Sequence, residues 1–167
     1  MDHSPNELLE IKNHWFSQHV EVDFPTKESL LGRELYLSSV SSVSCRQIKT
    51  LPAASTEYNQ DDIFKVDFHR LTVMFAVLQA KRWNSEQEQA LVVEFLSQII
   101  FSEPCDLYVG FEQGQPSAAA VVTTKGDSIL VSDVVTNSAD STAFLSTLLN
   151  HSAVAAHKYA QIFVESN

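Results

Sequence analysis

The sequence predicts an α+β protein with a helix-rich first half and a sheet-forming second half. Three observations carry that reading. Between Leu107 and Val135 the apolar residues alternate or run continuously (Leu107, Val109, Phe111; Ala118 to Val122; Ile129, Val131, Val134, Val135), and two turn-rich connectors interrupt them. From Asn137 the period changes to that of a helix, with Phe144, Leu145, Leu148, Leu149, Ala155, Ala156 and Tyr159 recurring at three- and four-residue intervals, before Ile162-Phe163-Val164 returns to an extended pattern. Upstream, two segments begin with capping boxes, Ser4-Pro5-Asn6-Glu7 and Ser85-Glu86-Gln87-Glu88, each followed by an apolar stripe at helical spacing.

Taken in order, the first helix starts at Pro5, a residue whose missing N–H costs nothing at N1. It carries Leu8, Leu9, Ile11, Trp15 and Phe16 on its apolar face and ends near Val20. Val20 to Phe24 alternates like a short strand and stops at Pro25. Residues 26–51 support two readings. LLGRELYLSSV reads as a helix interrupted by Gly32 or as a strand from Glu34, and the Ser/Val run of Val40 to Cys45 favours extended structure. Pro52 to Asp62 is polar and turn-rich, a loop. Ile63 to Trp83 is apolar at helical spacing (Phe64, Phe68, Leu71, Phe75, Leu78) with Lys81-Arg82 at its end, and a second helix follows from Ser85 until Pro104 stops it. Glu112 to Pro116 and Lys125 to Ser128 are hairpin connectors between the strands that follow.

Composition narrows the function classes. With 44% hydrophobic residues in 167, the chain can bury a sizeable core as one domain spanning 1–167. No apolar run reaches the length of a membrane span and the first residues lack the pattern of a secretory signal, so a cytoplasmic location without membrane contact is expected. A net charge of −10 repels nucleic acid, which is not an expected partner, and also opposes a polyanionic cofactor. Cys45 and Cys105 stand far apart and the six histidines are scattered, so neither a redox pair nor a metal site is expected.

The order of hairpin, third strand, helix and fourth strand in residues 85–167 resembles the central part of the GNAT-type N-acetyltransferase superfamily. It implies a GNAT-like mixed sheet with flanking helices, residues 1–84 being an added helical and extended part. The resemblance implies that backbone groups of the third strand (Val134, Val135, Thr136) hold the pantetheine arm of an acyl-CoA. The following loop and helix, at Ser141, Thr142 and Ala143, would hold its pyrophosphate. The family's phosphate-loop motif aligns with Asp140-Ser141-Thr142-Ala143-Phe144-Leu145, and every defining position differs. Glycine there lets backbone N–H groups approach phosphate, whereas here Phe144 and Leu145 add bulk and Asp140 adds negative charge. Asn137 reads as the helix N-cap, with Asp140 favourable against the dipole.

Two function classes follow from the resemblance. One is a degenerate relative that keeps the fold, lacks the cofactor and serves as a binding or interaction module. The other is an acyl-CoA-dependent N-acetyltransferase with a non-standard loop, in which Asp133 or Glu165 is the base by position; the plain alternative is that both are solvated strand residues. In the family the strand equivalent to Gln161–Glu165 is covered by later elements, whereas this sequence ends at Asn167. An uncovered strand is a template for aggregation, so an earlier extended segment, Val20 to Phe24 or Glu34 to Leu51, is expected to cover it. That cover comes within one chain or across a homodimer, with a homodimer or a protein partner expected.

Overall fold

The computed structural model describes residues 3–138 and 140–166. Six strands form one mixed sheet in the order β1-β6-β5-β4-β3-β2, made of β1 (Ser44–Ile48), β2 (Ile63–Lys65), β3 (Cys105–Glu112), β4 (Gln115–Lys125), β5 (Ser128–Thr136) and β6 (Gln161–Ser166). Every neighbouring pair is antiparallel except β5 and β6. Helices α1 (Pro5–Gln18), α2 (Lys27–Val40), α3 (His69–Ala80) and α4 (Glu86–Leu96) belong to one face, and α5 (Thr142–Leu149) to the other.

Strand alternation sorts the core into these two layers. Leu107, Val109, Ala119 and Val121 join Trp15, Phe16, Tyr36, Phe75 and Phe95 from the four helices, while Tyr108, Ala118, Ala120, Val122, Ile129 and Val131 join Phe144, Leu148 and Leu149 of α5. A strand covered on both faces needs no polar side, which is why Ala118 to Val122 reads as an unbroken apolar run. The hairpins close as their connectors predict: Gln113 and Gly114 both take positive φ (52° and 76°), the primed geometry that matches strand twist.

Both capping serines work as expected, Glu7 N–H donating to Ser4 Oγ at 3.1 Å and Glu88 N–H to Ser85 Oγ at 3.2 Å. Other expectations are corrected. Val20 to Phe24 is a connecting loop, and residues 26–51 resolve into α2, capped by Thr26, followed by β1. Ile63–Lys65 is a strand on β3, because pairing with Tyr108 to Gly110 satisfies its backbone, and α3 begins only at His69. The helix after β5 is short. Asn150 closes it by donating to Ser146 O at 2.8 Å, and Ala155 at φ 49° turns the chain toward β6. Asn137 is not its cap, for Asp140 Oδ1 accepts from Thr142 N–H at 2.9 Å.

The edge of β6 is covered within the chain. β1 pairs with it from Ser44↔Ser166 to Ile48↔Ile162, so the second of the expected segments closes the strand that would otherwise lie open. No helix among the described residues is long and apolar enough to cross a membrane.

Gly32 marks where α2 crosses α4. A Cβ at that position would run into the Leu91 carbonyl and the Phe95 Cβ, so the glycine is there for close approach and does not break the helix. Gly32→Ala should therefore lower stability by about 1–3 kcal/mol despite the better helix propensity of alanine. Urea denaturation checks this, and a stabilised variant would show that the helices can part at no cost.

Candidate functional site

The centre of the site is a β-bulge. Opposite β4 the register passes from Val121↔Ser132 to Ala119↔Val135, so Asp133 and Val134 face Ala120 alone, and Asp133 sits at φ 53°, a left-handed conformation that aspartate tolerates better than most residues. A bulge removes backbone groups from the ladder, and here it does so at a residue only 1% exposed. Buried N–H and C=O groups must find partners. Asp133 C=O accepts from Gln79 Nε2 at 2.6 Å, and Asp133 N–H donates to Glu165 Oε2 at 2.7 Å.

Its carboxylate needs compensation as well. Lys12 Nζ, itself 1% exposed, stands 2.8 Å from Oδ2, and Ser132 Oγ donates to the same oxygen at 2.8 Å. Tyr36 hydroxyl donates to Oδ1 at 2.8 Å while accepting from Lys12 at 2.9 Å, and Arg82 Nη2 stands 3.7 Å from Oδ1. Burial alone would raise the Asp133 pKa, but the charges of Lys12 and Arg82 outweigh it and hold the group at about 2. Glu165 goes the other way: burial and the neighbouring Asp133 charge raise its pKa against the opposing hydrogen bond from Asp133 N–H. Tyr36 is raised well above its ordinary range by burial and by the same carboxylate.

Asp133 and Glu165, the two candidate bases, are thus brought together, and the reading of Asp133 as a solvated strand residue is corrected. Asp133 is also poorly suited to be a base, since a carboxylate held at about 2 by an ion pair is a weak proton acceptor at neutral pH. Val135 and Thr136 remain paired with Ala119 and Ala118 of β4, Val134 is half-buried, and Thr136 Oγ1 donates to Ser138 O at 2.6 Å. Ser141 and Thr142 line a cleft of about 650 Å³ with Arg46, Lys49, Leu145, Ser146 and Glu165. Ala143 and Thr136 instead border a separate hollow of about 130 Å³ beside Glu57, Glu112 and Asp140. The positions implied for one cofactor therefore divide between two cavities.

The first free N–H of α5 carries the Asp140 carboxylate, and the bulge N–H carries that of Glu165. Reading the sequence alone missed Lys12, Tyr36, Gln79 and Arg82, and missed Arg46 and Lys49 in the cleft. Lys12 had a signal: it falls on the stripe of Leu8, Trp15 and Phe16, where a lysine belongs only if an acid waits inside.

No family model matches the chain, and no curated protein matches it. Among solved structures it is similar to a protein from Novosphingobium aromaticivorans DSM 12444 whose crystal structure is described as that of a GNAT-family acetyltransferase assigned by similarity, at 14% identity and a TM-score of 0.41, covering 73% of this chain and 54% of the other. The chain thus spans about half the length of that structure. The α+β class is given by the chain's own sheet, mixed and flanked by helices on both faces.

Removing one member of the buried pair leaves the other unpaired, so Asp133→Asn should cost about 3–5 kcal/mol. The pH dependence follows from the shifts. Asp133, depressed from 3.8 to about 2, contributes stability above pH 4 that is lost as pH falls toward 2, whereas the raised Glu165 destabilises at neutral pH and stops doing so as it protonates on acidification. Urea midpoints should hold or rise from pH 7 to 5 and then fall between 4 and 2. In Asp133→Asn the steep fall should be reduced, and an unchanged profile would remove Asp133 as its cause.

Proposed function

We propose that the chain is a non-catalytic binding or interaction module on a degenerate acetyltransferase-like scaffold. The observation that supports this reading is that the chain's own carboxylates occupy two backbone donors in this region, Glu165 on Asp133 N–H, next to the implied position Val134, and Asp140 on the implied position Thr142. The ion-paired state of Asp133 supports it too, since it makes that carboxylate a weak proton acceptor. A protein is the partner class that fits best. Phe24 is 94% exposed and Ile100 71% exposed, and Glu21 and Asp23 beside Phe24 favour a partner that brings basic residues; self-association as a homodimer belongs to the same class.

The second reading is an acyl-CoA-dependent N-acetyltransferase with a non-standard pyrophosphate loop. What favours it is the cleft of about 650 Å³ that Arg46 and Lys49 line together with Ser141 and Thr142. Calorimetric titration with acetyl-CoA separates the two. The module reading expects a Kd weaker than about 1 mM, equivalent to less than about 4 kcal/mol of binding free energy. Micromolar affinity would overturn it in favour of the transferase, and Asp140→Arg should then tighten binding further.

A further inference from the structure

We propose that the groove beside α1 docks a basic, extended segment of a partner protein, seating a lysine or arginine between Glu10 and Glu103 with its aliphatic stem against Ile11 and Pro104. The inference deepens the module reading above and rests on it. The groove, of about 400 Å³, lies between α1 on one side and Glu103, Pro104 and Lys125 on the other, and Ile11 and Trp15 are the apolar residues of its helix wall. It shares no residue with the cleft of about 650 Å³ or the hollow of about 130 Å³, and none of the positions implied for a cofactor borders it.

Charge selects the occupant. The carboxylates of Glu7, Glu10 and Glu103 line the groove against a single ammonium, that of Lys125, which is already committed to Glu7 with its Nζ 3.3 Å from Oε1. Glu10 and Glu103 are exposed and form no ion pair among the described residues. Uncompensated carboxylates beside apolar side chains favour a cation on an aliphatic stem, which lysine and arginine both carry. Lys125 is the chain's own instance of that contact, an ammonium brought to α1 from another element. The same acidity, in a chain at −10, repels nucleic acid, anionic lipid and a second copy. Length argues for a peptide segment over a small amine. From Glu7 to Gln18, both on the groove, the helix covers about 16 Å, the span of about five extended residues. The groove is also built before anything binds. Trp15 Nε1 donates to Ser102 O at 3.1 Å and to Ser102 Oγ at 2.9 Å, and Ile100 N–H donates to His19 Nδ1 at 3.2 Å, so the segment leading into Glu103 is tied to α1 at two places. Walls already in place need no ordering on association.

The probe is a capped, fluorophore-labelled peptide, acetyl-Leu-Arg-Leu-Arg-Leu-amide, titrated into the full chain. Its control carries glutamine for arginine, and spermidine supplies cations without a peptide. The arginine peptide should bind at least about ten-fold more tightly than either. Glu10→Gln combined with Glu103→Gln should weaken it by about ten-fold, whereas Glu57→Gln with Glu112→Gln, two exposed acids off the groove, should change it by no more than about three-fold. Lys125→Ala frees Glu7 and should tighten binding by about two-fold or more. Equal losses in the two glutamine pairs would overturn the inference in favour of general charge attraction. Spermidine binding as tightly as the peptide would overturn it in favour of a polyamine site, and no binding of the arginine peptide would overturn it outright. Self-association that Glu10→Gln with Glu103→Gln abolishes would assign the groove to a second copy instead. Micromolar binding of acetyl-CoA would overturn the module reading and leave these contrasts untouched, so the two failures are distinct.

Discussion

The bulge at Asp133 and the Lys12 ion pair that compensates it set the terms for the rest of the molecule. A left-handed residue in the middle of a strand, 1% exposed, leaves three polar groups to satisfy: an N–H, a C=O and a carboxylate. Lys12 comes from α1, Tyr36 from α2, Gln79 from α3, Arg82 from the turn after it, and Glu165 from β6. Helices α1, α2 and α3 are therefore held against β5 by polar contacts, and aromatic packing of Phe16, Tyr36 and Phe95 adds α4 to the same layer. Hydrophobic contact alone tolerates sliding, whereas a buried ion pair penalises any register that separates its partners. Lys12 lies over the Tyr36 ring at 5.3 Å, so the same ring that donates to Asp133 also helps seat its counter-charge.

What the sequence made legible was local. Turn residues placed both hairpins, and Ser4 and Ser85 placed two helix starts, because each depends on neighbours a few positions away. Ile63 to Lys65 was misread as helix because Phe64, Phe68, Leu71 and Phe75 satisfy a helical period, and only the distant partner strand at Tyr108 to Gly110 decides otherwise. Gly32 was read as a possible helix interruption for the same reason: the Leu91 carbonyl that requires it lies on another helix. Lys12 could have been noticed, since a charge inside an apolar stripe is a local anomaly. Its partner, more than a hundred residues away on a bulge, has no sequence signature.

The candidate site was legible in outline and misjudged in character. Position along the third strand and the strand after the helix identified Asp133 and Glu165, which the fold brings to within one hydrogen bond. Position does not reveal burial, and burial decides the chemistry: the same carboxylate that would be an ordinary base in water is, beside Lys12 and Arg82, a fixed countercharge. The net charge likewise says nothing about local arrangement. It counts acids over the whole surface, while Arg46 and Lys49 meet at one cleft through a strand whose place at the sheet edge is settled only by its pairing with β6.

Asp140 and Glu165 satisfy the same physical demand at two ends of one region. A helix start and a parted strand pair both leave backbone N–H groups without partners, and such groups take water, a ligand or a side chain. Asp140 lies in an exposed loop, where water competes and its bond to Thr142 N–H is easily replaced. Glu165 is half-buried beside another carboxylate, where exchanging it for a neutral acceptor removes a repulsion that water screens poorly. A hydrogen bond to a charged group contributes about 1.5–3 kcal/mol, and the Asp133 charge offsets part of that. The contact is therefore a compromise: it gives the buried N–H of the bulge an acceptor at the cost of a second carboxylate beside Asp133, a cost that the Lys12 and Arg82 charges partly offset.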